Sequence, residues 1–146
     1  MRQFTDTQGR AWQIVLTLGT AIQVRNALSV DLLTPEGGDP PLLSRLATDE
    51  FLLGSVICEL LRRQMEAYKL TPDDVYAAFD GATLLAAQDA FFAELADFFQ
   101  SRGRPDRATA VTKQAALMRA AINLAQSRVE AIRMEAPGAP SGASPE

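Results

Sequence analysis

Histidine is absent from this chain of 146 residues. That removes the usual general base, the Ser-His-Asp relay and the commonest metal ligand. Cysteine occurs once, at Cys58, so neither an internal disulfide nor a cysteine-built zinc site can form, and a reducing compartment suits the chain. No apolar run reaches the roughly 18 residues of a membrane span. The opening MRQFTDTQGR lacks the apolar core of a signal peptide. Gly37-Gly38 lies in a Pro-flanked loop with no Lys-Ser/Thr after it, so no phosphate-cradling loop is present. Carboxylates are plentiful, but none stands at the one-three-five loop spacing that calcium needs. The expectations are a non-enzymatic protein of a bacterial cytoplasm, with no catalytic residue, no cofactor and no metal. An enzyme or regulator built from Asp, Glu, Lys, Arg, Ser and Tyr stays open as a further reading.

What is present suffices for a core. A chain of this length buries roughly two-thirds of its unfolded surface, and 47% apolar content supplies that core without covalent staples. The net charge of −4 gives no general attraction to nucleic acid or acidic membranes, and neither is expected as a partner. The charge is unevenly spread. Residues 35–99 carry twelve Asp/Glu against four Lys/Arg, and residues 100–134 carry seven Lys/Arg against two Asp/Glu. The basic segment either packs near the acidic middle of its own chain or docks an oppositely charged neighbour, a second copy or a partner.

Phe4 to Thr17 reads as a β-hairpin. Trp12, Ile14 and Leu16 alternate with smaller or polar residues, and Gly9 supplies the turn. Thr20 is expected to cap a short helix from Ala21 to about Leu28. TPEGGDPP, Thr34 to Pro41, is a loop, and Leu42–Ala47 a small helix. One long helix then runs from a Thr48 or Asp49 cap to about Lys69, its core face marked by Leu53, Val56, Ile57, Leu60, Leu61 and Tyr68. Cys58 reads as a small buried apolar residue. Thr71-Pro72-Asp73-Asp74 starts a helix: Thr71 caps, Pro72 needs no N–H partner, and the carboxylates favour the positive end of the dipole. That role explains the Asp pair without a metal. Asp80-Gly81 is expected to end this helix.

Four of the seven Phe fall in AFFAELADFF. Phe91 and Phe98 are seven apart, as are Phe92 and Phe99, so each pair stacks along one line of a helix opened by Thr83. The two lines lie about 100° apart. The expectation puts Phe91 and Phe98, aligned with Leu95, inward. It leaves Phe92 and Phe99, with Leu85, as a protein-binding face, and Gln88, Glu94 and Asp97 on the opposite side. Arg102, Arg104 and Arg107 follow the Phe cluster, where cations suit a helix C-terminus; Arg102 and Arg104 are candidate contacts for a partner. After Pro105 a final helix carries Val111, Ala115, Met118, Ile122, Ala125, Val129 and Ile132 in steps of four and three, with Leu117 and Leu124 on a second line. This seam either buttresses the bundle or meets a partner helix, with Val111, Met118 and Ile122 as candidate contacts. The end, APGAPSGASPE, reads as disordered.

The fold class expected is mainly α (α+β). It is one helical domain over 1–134, with a hairpin at about 3–17 on some five helices, a long last helix and a disordered tail at 135–146. The order of FTDTQGRAWQI, VDLL, the Pro/Gly loop, TPDDVYAAFDG and AAQDAFFAELADFF resembles small tail assembly chaperones of phages and prophage-like tail clusters. Gly81, Ala87, Ala90, Leu95, Asp97 and Phe98 are the residues that resemble the family pattern. The resemblance covers roughly residues 4–115. It implies no catalytic positions. It implies a protein that binds the long apolar helical tape-measure protein, and possibly the tail-tube protein, during tube assembly, and that forms a homo-oligomer. A structural minor tail or connector protein retained in the particle is the alternative.

Overall fold

Strict alternation of apolar residues decides the N-terminus. In the computed structural model, which describes residues 1–143 with side chains to residue 134, β1 (Arg2–Thr5) pairs antiparallel with β2 (Ala11–Ile14). Phe4 faces Trp12 across the ladder, and both are buried with Ile14 on one face. The turn between them is built on Asp6. Its carboxylate accepts the N–H groups of Gln8 and Arg10, the Arg10 Nε at 3.0 Å and the Trp12 Nε1 at 2.9 Å. Burial pushes this carboxyl up, but the hydrogen bonds from Trp12, Arg10 and Gln8 outweigh it and hold Asp6 below its ordinary range. Gly9 sits at φ +78°, a conformation that would strain a residue with a Cβ.

The open edge of β2 is closed by side chains. Gln64 accepts the Gln13 N–H and donates to the Gln13 carbonyl, each at 2.7 Å, as a neighbouring strand would. The Tyr68 hydroxyl donates to the Ala11 carbonyl at 2.8 Å.

Seven helices follow among the described residues: α1 (Leu18–Leu28), α2 (Leu42–Thr48), α3 (Glu50–Leu60), α4 (Arg62–Ala67), α5 (Pro72–Ala77), α6 (Gly81–Ser101) and α7 (Pro105–Ala143). The chain is therefore mostly helical with an N-terminal hairpin, as the sequence pattern indicates. Two starts differ from expectation. Thr17, not Thr20, caps α1; Thr20 is the third helical residue, and its hydroxyl accepts the Thr17 N–H while the Thr17 hydroxyl accepts the Thr20 N–H, a reciprocal box. Asp80-Gly81 opens α6 instead of closing α5, because the Asp80 carboxylate accepts the Thr83 N–H at 2.8 Å. The expected Thr71 cap is present, with Pro72 first in α5 and Asp74 completing the box. The single helix expected from Asp49 to Lys69 is broken at Leu61, whose N–H is shared between the carbonyls of Ile57 and Cys58. Asp49 caps it as read, accepting from Phe51 and Leu52.

The chain divides into two units, residues 1–115 and 116–146, with the boundary inside α7. The first unit holds the core. The hairpin and α3 both lie against α6. The core includes Trp12, Ile14, Val24, Leu32, Leu53, Ile57, Phe91, Leu95 and Phe99. Phe92 and Phe99 belong to it, at 2% and 1% exposure, whereas Phe98 is half-buried. The division of the Phe pairs into an inner and an outer line is thus corrected: α6 has neighbours on two sides, so both lines find cover. Glu94 is also buried, contrary to its expected solvent side. Its Oε2 accepts the Leu16 N–H at 2.9 Å and its Oε1 lies 2.5 Å from the N-terminal ammonium. In the second unit the described side chains are exposed, save for half-buried Met118 and Ile122. The tail expected to be disordered, 135–146, lies outside the residues described with side chains.

Candidate functional site

Helix α3 carries two stripes. Leu53, Val56, Ile57 and Leu60 are buried and face the core. Phe51 lies two residues before Leu53, about 200° round the helix, and so points away from that core. Gly54, Ser55 and Cys58 follow Phe51 at i+3, i+4 and i+7, on the same outer face. An aromatic residue above three small ones makes a wall with a low floor. Tyr76 of α5, Phe79 of the following turn and Leu84 of α6 close the other side, and the result is an apolar groove of about 350 Å³.

Gly54 keeps the floor open. A Cβ placed there would meet no atom within 4 Å. Phe51 is 90% exposed and Tyr76 58%, an unusual outlay of aromatic surface on a water-facing groove. Phe79 is fixed from behind, edge-on to Phe4 at 5.4 Å and to Trp12 at 6.4 Å, so the hairpin holds one wall in place. Glu50 lines the groove at the first turn of α3, and it is the acidic residue of the lining. Burial, with help from neighbouring Glu59, pushes the Cys58 thiol up to about 11. At neutral pH it is a protonated, weakly polar part of the lining and not a nucleophile. Among the described residues no group of three or more Cys, Asp or Glu is placed to hold a metal ion, and no helix is long and apolar enough to cross a membrane.

None of the residues read from sequence as candidate partner contacts lines this groove. Phe92, Phe99 and Val111 are core, and Leu85, Met118 and Ile122 are half-buried. Arg102 is exposed. Arg104 holds Asp106 at 2.9 Å and keeps that carboxyl down at about 2. Arg107, not among the contacts expected, does more. It forks onto Glu36 at 2.6 and 3.1 Å, donates to the Leu33 carbonyl at 2.7 Å and lies 5.7 Å from the Phe99 ring centroid. The Glu36 carboxyl is held below its usual range by that guanidinium. Within the first unit, then, Arg107 spans from α7 to the Pro/Gly loop, one concrete instance of the basic segment meeting the acidic middle of its own chain.

A second exposed apolar surface lies in the other unit. Leu117, Leu124, Val129 and Ile132 on α7 are 54 to 65% exposed. The sequence reading passed over the groove; the signal that could have found it is an out-of-phase aromatic, Phe51, on an otherwise one-sided helix. No protein-family model, no curated protein and no solved structure matches the chain.

Proposed function

We propose that this protein is a non-enzymatic tail assembly chaperone of a phage or prophage-like tail. In this reading it binds the apolar helices of a tape-measure protein and keeps them soluble while the tube forms. The observation that carries the proposal is the apolar groove walled by Phe51 and Tyr76 and floored by Gly54. A groove between helices accepts an amphipathic helix through side chains at i, i+3 and i+4, and it selects for apolar area more than for particular polar partners. Covering one large apolar side chain is worth about 1.5–3 kcal/mol. The cost of immobilising the two partners offsets much of that gain. Contacts of this kind hold a client yet let it go, as a protein that leaves before the particle is finished must do.

Co-expression tests this. The tape-measure protein of the same tail cluster should stay soluble and co-purify with the wild-type chain, and should precipitate beside Phe51→Asp. A client that is insoluble with both defeats the proposal. Mass spectrometry of finished particles addresses the alternative of a retained tail or connector protein: a chaperone is missing from them, and a connector is present.

A further inference from the structure

The outer face of α7 is not uniformly apolar. Leu124, Arg128 and Ile132 follow one another at four-residue steps, so Arg128 lies one turn from each apolar neighbour on the same side of the helix. Leu124, Arg128 and Ile132 are all exposed. Two α7 helices laid face to face would therefore bring like charges together inside an apolar seam, which is costly. Arg128 is the charged residue of this face, because Arg119, Glu130 and Arg133 project from the other side of the helix. A surface fit for it must be apolar, recessed and acidic. The groove of the first unit has each property: Phe51, Tyr76 and Leu84 supply the walls, and Glu50 stands among them. Asp49 and Asp73 lie beside it in sequence at the starts of α3 and α5, within a segment of net charge −8 from twelve Asp/Glu and four Lys/Arg over 35–99.

We infer that the groove of one copy receives the Leu124–Arg128–Ile132 face of α7 from a second copy, with the Arg128 guanidinium against the Glu50 carboxylate. The association is heterologous, groove to helix. It uses the groove assigned above to the client, so a client helix and the second copy's α7 exclude one another. The inference rests on the chaperone reading only for that competition; self-association is measured on the purified chain with no client present.

The experiment is sedimentation equilibrium of the full chain and five variants. Wild type self-associates. Glu50→Arg and Arg128→Glu each weaken the association about tenfold or more, and the double variant recovers it. Both changed positions lie outside the core, and circular dichroism checks that the helices persist. Mixing supplies the second test. Phe51→Asp has a spoiled groove and a sound α7, and Ile132→Asp the reverse. Each alone is monomeric, and an equimolar mixture forms a one-to-one dimer that does not grow. A monomeric wild type overturns the inference. So does a Phe51→Asp variant that associates as wild type does, because the contact is then α7 on α7. Failure of the double reversal to recover association overturns it as well.

Discussion

Helices α6 and α7 both repeat apolar residues at seven, and they meet opposite fates. On α6 Phe92 and Phe99, seven residues apart, are sealed at 2% and 1% exposure. On α7 the repeat starts sealed at Val111, 0% exposed, and ends open at Ile132, 65% exposed. The period is the same in both. What differs is the supply of neighbours: α6 has the hairpin and α3 against it, while α7 passes at Ala115 out of the unit that holds the core. A seven-residue repeat therefore identifies a face that needs cover. It does not say whether the same molecule provides it.

The sharpest way to break this comparison is truncation of the rings. Phe91→Ala, Phe92→Ala and Phe99→Ala should each lose about 3–5 kcal/mol, the cost of a cavity where an aromatic ring was enclosed. Ile132→Ala should stay within about 0.5 kcal/mol, as exposed sites do. Urea denaturation followed by tryptophan fluorescence reads both, since Trp12 lies in the core. Comparable losses at Phe92 and Ile132 would mean that the two faces are equally covered.

A smaller effect separates the hairpin turn from the exposed α7. Asp6→Ala leaves the Trp12 Nε1–H and two backbone N–H groups without their acceptor and should cost about 1–3 kcal/mol. The pH dependence follows from the lowered carboxyl. The unfolded chain takes up this proton nearer the ordinary value of 3.8, and the folded chain only below it. The Asp6 contribution is thus fully present above the unfolded value, and it is lost as pH falls through the lower folded value. Wild type should lose more stability than Asp6→Asn across that acid window, and the two curves should run parallel above it. Curves parallel throughout would remove Asp6 as the source.

Much of the fold was legible because it depends on contacts close in sequence. Alternation over Phe4, Trp12 and Ile14 with Gly9 between marks a hairpin, and Thr71-Pro72 marks a helix start, whatever surrounds them. The misplaced starts at Thr20 and Thr83 share one cause. Two polar residues near a helix start compete for the cap, and the winner depends on the entering chain: Thr17 and Asp80 precede the candidates read from sequence. Glu94 was illegible because its partners, the Leu16 N–H and the N-terminal ammonium, lie some eighty or more positions away. The groove was missed for a different reason. Gly54, Ser55 and Cys58 are small, and small residues signal nothing until Phe51, Tyr76 and Leu84 stand around them.

The open floor at Gly54 yields a change of opposite sign. In mid-helix a glycine costs about 0.5–1 kcal/mol relative to alanine, and here the added methyl meets open space. Gly54→Ala should therefore stabilise the chain by about that amount. Gly54→Leu gains the same helical preference but places a branched side chain in the groove, so it should abolish groove binding while the fold is kept. Destabilisation by Gly54→Ala would show the floor to be tighter than the geometry allows.

Cys58 offers the mildest probe, because labelling it need not change stability at all. A thiol at about 11 instead of 9.0 carries about a hundredfold less thiolate at neutral pH, so iodoacetamide should react correspondingly more slowly than with an unperturbed thiol. Denaturant should restore the ordinary rate. The labelling also reads occupancy, since Cys58 lines the groove while Leu124 and Ile132 lie on α7. If α7 of a second copy fills the groove, alkylation of wild type slows further as protein concentration rises. The same dilution series with Ile132→Asp should show no slowing, because that variant cannot fill a neighbour's groove. A rate that depends on concentration in both would place the cover somewhere other than the open end of α7.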